Sequence, residues 1–278
     1  MFLPLHDQNN EPVQTLPVVS YTIMALTFLI FCYQFLIQLG DAEEAMRFSL
    51  AHGMVPGPFL AGKTQYEHVI RLDGPQRSPR RRSKPLPLPS ESDREGSPAF
   101  HEIRITVENS RLGIWLMPIT YNFLHGGWMH LLGNLWFFWI FSDNVEERMG
   151  RLIFLAFYLV TGMAGGLLHT LLHSDSTMPL VGASGAISGL MGAYIVLFPG
   201  NRITSYFCPI WFFIRRIDVP SWMVLGFYLL FNVVAMSQTM FAASHVAFDC
   251  HVGGFAAGIL GAWLFRRPPA PSPAPARA

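Results

Sequence analysis

The sequence predicts an all-α membrane protein, a bundle of six transmembrane helices. Of its 278 residues, 51% are hydrophobic and only 13% are charged, a composition too apolar for an ordinary soluble domain. Segments of about 20 mainly apolar residues, the length that a helix needs to cross a bilayer, recur along the chain. The net charge of +1 gives no reason to expect a nucleic-acid partner.

The first predicted span, residues 16–39, follows a leader (residues 1–15) without Lys or Arg. It is longer than the apolar core of a cleavable signal, so we interpret it as a retained anchor. Five further segments complete the set: 126–143, 152–172, 179–199, 220–240 and 247–265. Asp249 and His251 interrupt the start of the last span, and ionisable groups at such a place are costly enough to be functional candidates.

The positive-inside rule orients the six spans. The loops after the second and fourth spans and the tail 266–278 contain Arg, whereas the loops after the third and fifth spans contain neither Lys nor Arg. The basic segments are therefore predicted to be cytoplasmic, together with the N-terminal residues 1–15. We expect a multi-pass protein of the cell or inner membrane, with the lipid bilayer as its surroundings and with a flexible tail.

The long loop 40–125 is predicted to be non-cytoplasmic, and it exceeds the length over which the rule holds. Inside it, residues 74–98 are rich in Pro, Ser and charge, which predicts a disordered linker. Binding of this basic cluster to an anionic surface is an alternative. Residues 126–265 are predicted to form a membrane core of five helices. At the cytoplasmic end of the second span, Glu147 and Arg148 are expected to cap and tie helix ends.

Three polar motifs lie in alternate spans. The second span contains His130 and Asn134, which share one helix face because they are four residues apart. The fourth begins with Gly182-Ala-Ser184-Gly185, and the sixth begins with Cys250-His251. Alternate spans run in the same direction, and each motif lies near the start of its span. The rise of 1.5 Å per residue therefore predicts similar depths for all three motifs.

Glycines predict which of these helices touch. Gly185 and Gly189 are four residues apart in the fourth span, as are Gly254 and Gly258 in the sixth. Small residues at this spacing let transmembrane backbones approach closely. If the two glycine faces meet, Ser184 and His251 come within reach of a hydrogen bond.

This pattern indicates nucleophilic catalysis. A serine hydroxyl needs a base to take its proton, and a neutral imidazole is the usual base. We therefore predict Ser184 as nucleophile and His251 as general base. His130, Asn134 and the backbone N–H of Ser184 are predicted to stabilise the oxyanion. Asp249 is only two residues from His251 on a helix, so it is set aside and the site is interpreted as a dyad.

The three motifs together resemble the rhomboid family of intramembrane serine proteases. The matching residues are His130-x-x-x-Asn134, Gly182-Ala-Ser184-Gly185 and His251-x-x-Gly254-x-x-x-Gly258, within residues 112–265. The resemblance implies a six-helix core, a Ser–His dyad, an oxyanion hole that includes His130 and Asn134, no cofactor, and cleavage of transmembrane protein substrates near the outer face.

Two positions depart from the family pattern. Cys250 stands before the predicted base, where Ala is common, and Trp115 is followed by Leu116 rather than by Arg in the first loop. Cysteine is small enough for us to expect that it is tolerated. The second departure, together with the inserted linker, leaves the conformation of the first loop open.

Other functions remain as alternatives. A non-catalytic relative that binds transmembrane helices is one, although it would be expected to lack the serine or the base. His169 and His173 could form half of a metal site, but no further Cys, Asp or Glu is clearly positioned with them, so no metal is predicted. A carrier of metal or haem would use five histidines: His125, His130, His169, His173 and His251. Alone, His125 is interpreted as an interfacial side chain, and Ser188 as a packing residue.

Overall fold

A computed structural model describes five parts of the chain: residues 2–8, 14–72, 101–207, 215–239 and 246–266. The predicted linker 74–98 and nearly all of the predicted tail lie outside the described residues. The described part is mostly helical, with nine α-helices: α1 Val18–Gly40, α2 Ala42–His52, α3 Pro56–Leu60, α4 Arg111–Thr120, α5 Trp128–Met149, α6 Arg151–Leu172, α7 Ser184–Leu197, α8 Ser221–Thr239 and α9 Phe248–Ala262.

A helix occupies each of the six predicted spans, but they differ in length and composition. Within the described residues, four helices are long and apolar enough to cross a membrane: α1, α6, α8, and α9 continued to Phe265. The helix α7 is apolar but only 14 residues long, and α5 ends in the charged sequence Glu146-Glu147-Arg148. A multi-pass helical membrane bundle is therefore supported, and the count of six spans stays a prediction.

Two small antiparallel sheets depart from the all-α prediction. The strands β1 (Phe2–Gln8), β4 (Arg202–Phe207) and β5 (Arg215–Pro220) form one sheet in the order β1-β4-β5. The strands β2 (Gln65–Leu72) and β3 (His101–Glu108) form the other. In β3, Ile105 and Val107 are buried two residues apart, which is the period of a half-buried strand. The hydropathy of the spans did not reveal this short alternation.

Much of the loop 40–125 folds over one end of the bundle. We call its ordered part, residues 42–72 and 101–120, the cap. The cap supplies most of a second hydrophobic cluster, in which Leu50, Met54 and Met117 are fully buried and to which Cys250 of α9 also belongs. It is joined to the segment between α6 and α7 by backbone hydrogen bonds between Met54 and Leu180, with N···O distances of 3.0 and 2.8 Å. The long loop therefore contains a small packed unit.

At the end of the bundle opposite the cap, acidic residues of α5 hold the entry to α1. The Glu146 carboxylate accepts hydrogen bonds from the backbone N–H of Val19 at 3.0 Å and of Ser20 at 2.7 Å. Glu147 accepts from the backbone N–H of Gln14 at 2.8 Å, which is the helix-end role predicted for it. The start of α1 thus lies beside the end of α5, so the two helices run in opposite directions.

The helices α7 and α9 form the centre of the bundle. Eleven of the fourteen residues of α7 are buried. Around α7, a single hydrophobic core includes Phe141 of α5, Phe154 and Tyr158 of α6, Leu225 of α8 and Phe255 of α9. The three helices with polar motifs are thereby held together, with the start of each at the cap end.

Candidate active site

Ser184 is the first residue of α7, and the turn before it requires glycine. Gly182 has φ of +128°, a conformation that side chains disfavour. A Cβ at Gly182 would lie 2.8 Å from Nε2 of His130, so a side chain there would also displace the imidazole. The backbone N–H of Gly182 donates to the carbonyl oxygen of Tyr121 at 3.0 Å. These constraints place the half-buried Ser184 beside the start of α5.

Two pairs of glycines bring α7 and α9 into backbone contact. A Cβ at Gly254 would overlap the carbonyl oxygen of Gly185, and one at Gly258 would overlap that of Gly189. Close approach of this kind is possible only where both helices lack side chains. It places the first turn of α9, which contains His251, next to the first turn of α7, which contains Ser184.

His251 is oriented by a residue that the sequence analysis missed. The Nδ1 atom of His251 lies 2.7 Å from Oδ1 of Asn232 on α8. The Asn232 amide nitrogen donates to the carbonyl oxygen of Tyr228 at 2.8 Å, which turns the amide oxygen towards the imidazole. Because an amide oxygen can only accept, Nδ1 carries the proton and the lone pair is on Nε2. A neutral imidazole in this tautomer is suited to act as a base.

Aromatic rings enclose the imidazole of His251. The Tyr228 ring lies 6.4 Å from it at an interplanar angle of 29°, and the Phe248 ring lies 6.2 Å from it at 88°. The hydroxyl oxygens of Tyr228 and Ser188 are 2.6 Å apart. Ser188 is thus a buried packing residue one turn below Ser184. The surroundings leave His251 few orientations.

No hydrogen bond joins Ser184 to His251 within the part of the chain that the structure describes. The serine hydroxyl has no hydrogen-bond partner there, and the imidazole is engaged through Nδ1. Catalytic hydrogen bonds are often long in free enzymes and shorten when substrate binds. The geometry therefore brings the two residues onto neighbouring first turns with the reactive groups of both available.

His130 and Asn134 lie on α5, on the other side of the turn that precedes Ser184. The backbone N–H of Gly126 donates to Nδ1 of His130 at 3.3 Å, so the ring proton is on Nε2, the nitrogen that faces Gly182. The Asn134 amide donates one of its hydrogens to the carbonyl oxygen of His130 at 2.9 Å. Its second hydrogen is left for another acceptor. Both side chains thus retain a donor.

Asp249 faces away from this group. Its carboxylate lies 2.9 Å from Nδ1 of His169 and 2.8 Å from Nε2 of His173, both at the cap end of α6. The sequence alone showed no third partner for these histidines, whereas the structure supplies one from α9. Asp249 therefore belongs to a second polar cluster.

The histidines of the proposed carrier do not form one site. His125 contacts His130, with ring centroids 5.0 Å apart, and is only 3% exposed, so it is buried rather than interfacial. His169 contacts His173, with ring centroids 4.5 Å apart. His251 interacts instead with Asn232. A haem held by histidines facing each other across the bundle is not supported by these separate groups.

A signal for Asn232 was present in the sequence. It is an amide in the middle of an otherwise apolar helix, where polar groups are costly and mark functional or structural contacts. On this ground, only Asp249 and His251 were predicted to be functional candidates. The packing of α8 against α9, which makes Asn232 a neighbour of His251, could not be derived from one span alone.

Comparison with known proteins gives consistent matches. A family model described as the Rhomboid domain matches residues 113–268. The Arabidopsis thaliana protein named Rhomboid-like protein 11, chloroplastic, is 28% identical over 161 residues, covering 57% of this chain and 55% of that protein. The putative rhomboid protease YdcA of Bacillus subtilis is 37% identical over 110 residues, covering 36% of this chain and 53% of that protein.

A third relative is the rhomboid protease GluP of Bacillus subtilis, 31% identical over 157 residues. That match covers 56% of this chain but only 27% of GluP. The chain thus spans about half or less of the length of these three relatives.

Proposed function

The chain belongs to the rhomboid family, and we propose from this that it is an intramembrane serine endopeptidase. In this proposal it cleaves peptide bonds in or near the transmembrane segments of other membrane proteins. Ser184 is the nucleophile and His251 the general base. The observation that supports the proposal is the backbone contact of α7 and α9, since it brings the first turn with Ser184 next to the first turn with His251, whose Nδ1 is held by Asn232.

The reaction follows from these positions. Nε2 of His251 takes the proton of Ser184 as the hydroxyl oxygen attacks the carbonyl carbon of the substrate. The protonated imidazole then gives that proton to the leaving amine, which produces an acyl-enzyme. Water, deprotonated by the same imidazole, hydrolyses the ester. Asn232 supports each step because it keeps Nδ1 protonated and Nε2 directed away from α8.

The negative charge on the tetrahedral intermediate needs donors that are already in place. Nε2–H of His130 faces the Gly182 turn, and the second amide hydrogen of Asn134 is not used by His130. The backbone N–H of Ser184 is in the first turn of α7, where such groups have no partner within the helix. These three donors lie around the Gly182 turn that precedes Ser184, and together they are the proposed oxyanion hole.

The substrate class follows from where the site lies. The motifs lie at the cap end of helices that, in this proposal, cross the membrane. The substrate must present its peptide bond there in extended form, because a bond within a helix is not accessible to the nucleophile. Segments that unwind easily, with glycine or proline near the cut, are the proposed substrates. Both chain termini are proposed to be cytoplasmic, as the positions of the basic loops predict. The lipid-facing helices are proposed to cross the membrane.

The test uses the full chain in detergent or liposomes with a single-pass substrate and a fluorophosphonate probe. Ser184→Ala and His251→Ala are expected to lose at least about 1000-fold in cleavage rate. The probe is expected to label the parent and Ser188→Ala but not Ser184→Ala. Ser188 is the matched control, a buried serine on the same helix one turn away.

Two results would contradict the proposal. If both dyad variants cleave as fast as the parent, the catalytic residues are wrong. If the folded parent neither cleaves nor reacts with the probe, the chain is a non-catalytic relative that binds transmembrane helices.

A further inference from the structure

We infer that His169, His173 and Asp249 form a binding site for a divalent metal ion of the zinc type. Each residue offers one ligand atom, and these atoms lie within 4.8 Å of one another. Two imidazoles and one carboxylate are a common zinc ligand set, with a water molecule in the fourth position. The inference concerns residues outside the proposed dyad and oxyanion hole, and it does not depend on the proposed protease activity.

The fold brings these ligands together from distant parts of the chain. His169 is in the last turn of α6 and His173 follows that helix directly, so their spacing of four residues puts both on one face. Asp249 is in the first turn of α9. Close packing of the two helices sets their register, since a Cβ at Gly253 would lie 2.9 Å from the Leu168 side chain.

The distances fit an ion after a small movement. The carboxylate oxygens of Asp249 are 2.9 Å from Nδ1 of His169 and 2.8 Å from Nε2 of His173. Ligand atoms around a tetrahedral zinc ion are about 3.3 Å apart, because zinc–nitrogen and zinc–oxygen distances are near 2.0–2.2 Å. The two contacts with the carboxylate would lengthen by roughly half an ångström, and any separation near the upper limit of 4.8 Å would shorten, for all three atoms to bind one ion.

Charge and access also favour a cation. The Asp249 side chain is only 5% exposed, and no Lys or Arg pairs with it among the residues that the structure describes. A buried carboxylate needs compensation by a positive charge. The His173 side chain is 41% exposed, which gives an ion and its water a path from solvent. An ion bound here would join the end of α6 to the first turn of α9, two residues before His251.

Cobalt provides a direct test, because a tetrahedral Co²⁺ site absorbs visible light. The full chain, purified through a tag without histidine and treated with a chelator, is titrated with Co²⁺ and then with Zn²⁺. We expect saturable binding with visible bands that Zn²⁺ removes by displacement, and a higher thermal unfolding midpoint with either ion. His173→Gln and Asp249→Asn are expected to weaken binding by about 100-fold or more.

His52→Gln is the matched control, since His52 is an exposed histidine of the cap. It should bind Co²⁺ as the parent does. The His173→Gln variant changes a partly exposed side chain, so its unfolding midpoint without metal should stay close to that of the parent. Absence of saturable binding in the parent would overturn the inference. Equal binding by the parent, His173→Gln and Asp249→Asn would also overturn it. In either case the cluster would be a carboxylate that accepts hydrogen bonds from two imidazoles.

Discussion

The helices α7 and α8 are both strongly apolar, yet they have opposite surroundings. In α7 (residues 184–197) eleven of fourteen residues are buried, and many of them are small. In α8 (residues 221–239) the large side chains are mostly exposed, among them Phe227 at 65%, Leu230 at 57% and Phe231 at 63%. Protein encloses α7, whereas α8 presents a broad apolar face away from the bundle.

Only one stripe of α8 contacts the bundle. Its buried members are Ser221, Leu225, Asn232 and Ala235, which are four, seven and three residues apart and so lie on one face. Hydropathy therefore identifies both helices as apolar but does not say which is central. Small residues at a spacing of four, as in α7, are the feature that identifies the enclosed helix.

The largest expected effect comes from adding bulk to a glycine of α7. A Cβ at Gly192 would overlap the carbonyl oxygen of Phe255, which is backbone and cannot rotate away, so α7 and α9 would have to separate. Gly192→Val is expected to lower the free energy of unfolding by more than about 4 kcal/mol. Denaturation in mixed micelles, followed by helical circular dichroism, measures this change.

Gly226 of α8 is the matched control, because a Cβ there would meet nothing within 4 Å. Gly226→Val should change the free energy of unfolding by less than about 1 kcal/mol. If the two glycine variants lose stability equally, α7 is not enclosed more tightly than α8.

A second pair of substitutions removes bulk instead of adding it. Leu190 of α7 is fully buried, so Leu190→Ala leaves a cavity and is expected to cost about 3 kcal/mol of unfolding free energy. Leu230→Ala on the exposed face of α8 is expected to cost under about 0.5 kcal/mol. The same denaturation measurement compares them. A loss of unfolding free energy in Leu230→Ala well above this expected value would mean that a second protein surface covers α8.

The predictability of the fold differs between the bundle and the cap. Each of the six helices was visible as an apolar run, and four of them in the described residues meet the length and composition that crossing a membrane imposes on each helix separately. The cap is held by contacts between distant residues, such as Met54 with Leu180, and no local pattern encodes them. The sheet β1-β4-β5 likewise pairs β1 with β4, a strand far from it in the sequence.

The candidate site shows the same division. The residues Ser184, His251, His130 and Asn134 could be predicted because each lies in a short motif near a helix start. Asn232 and the third member of the His169–His173 cluster were missed because their roles depend on which helices are neighbours. The packing of α8 and α6 against α9 supplies that information.

Apart from the control variants, the smallest effect is expected at the hydrogen bond between Asn232 of α8 and His251, where the activation free energy rather than the unfolding free energy should change. Asn232→Ala removes the acceptor that holds Nδ1–H, so the imidazole can rotate or change its tautomer. We expect kcat to fall about 10–100-fold with KM unchanged, a barrier increase of roughly 1.4–2.7 kcal/mol. The thermal unfolding midpoint should fall less than in Leu190→Ala, because Asn232→Ala removes only the amide with its contacts to His251 and to the Tyr228 carbonyl oxygen.

Two further variants separate positioning from simple packing. Val233→Ala, on the exposed side of the same turn, is the control and should retain the kcat of the parent. Asn232→Asp keeps an acceptor at the same place, so it should restore part of kcat. It should also raise the pH at which activity is half-maximal, because a carboxylate favours the protonated imidazole, which cannot act as the base. A fall in kcat that Asn232→Asp neither reverses nor shifts in pH would show that Asn232 only packs.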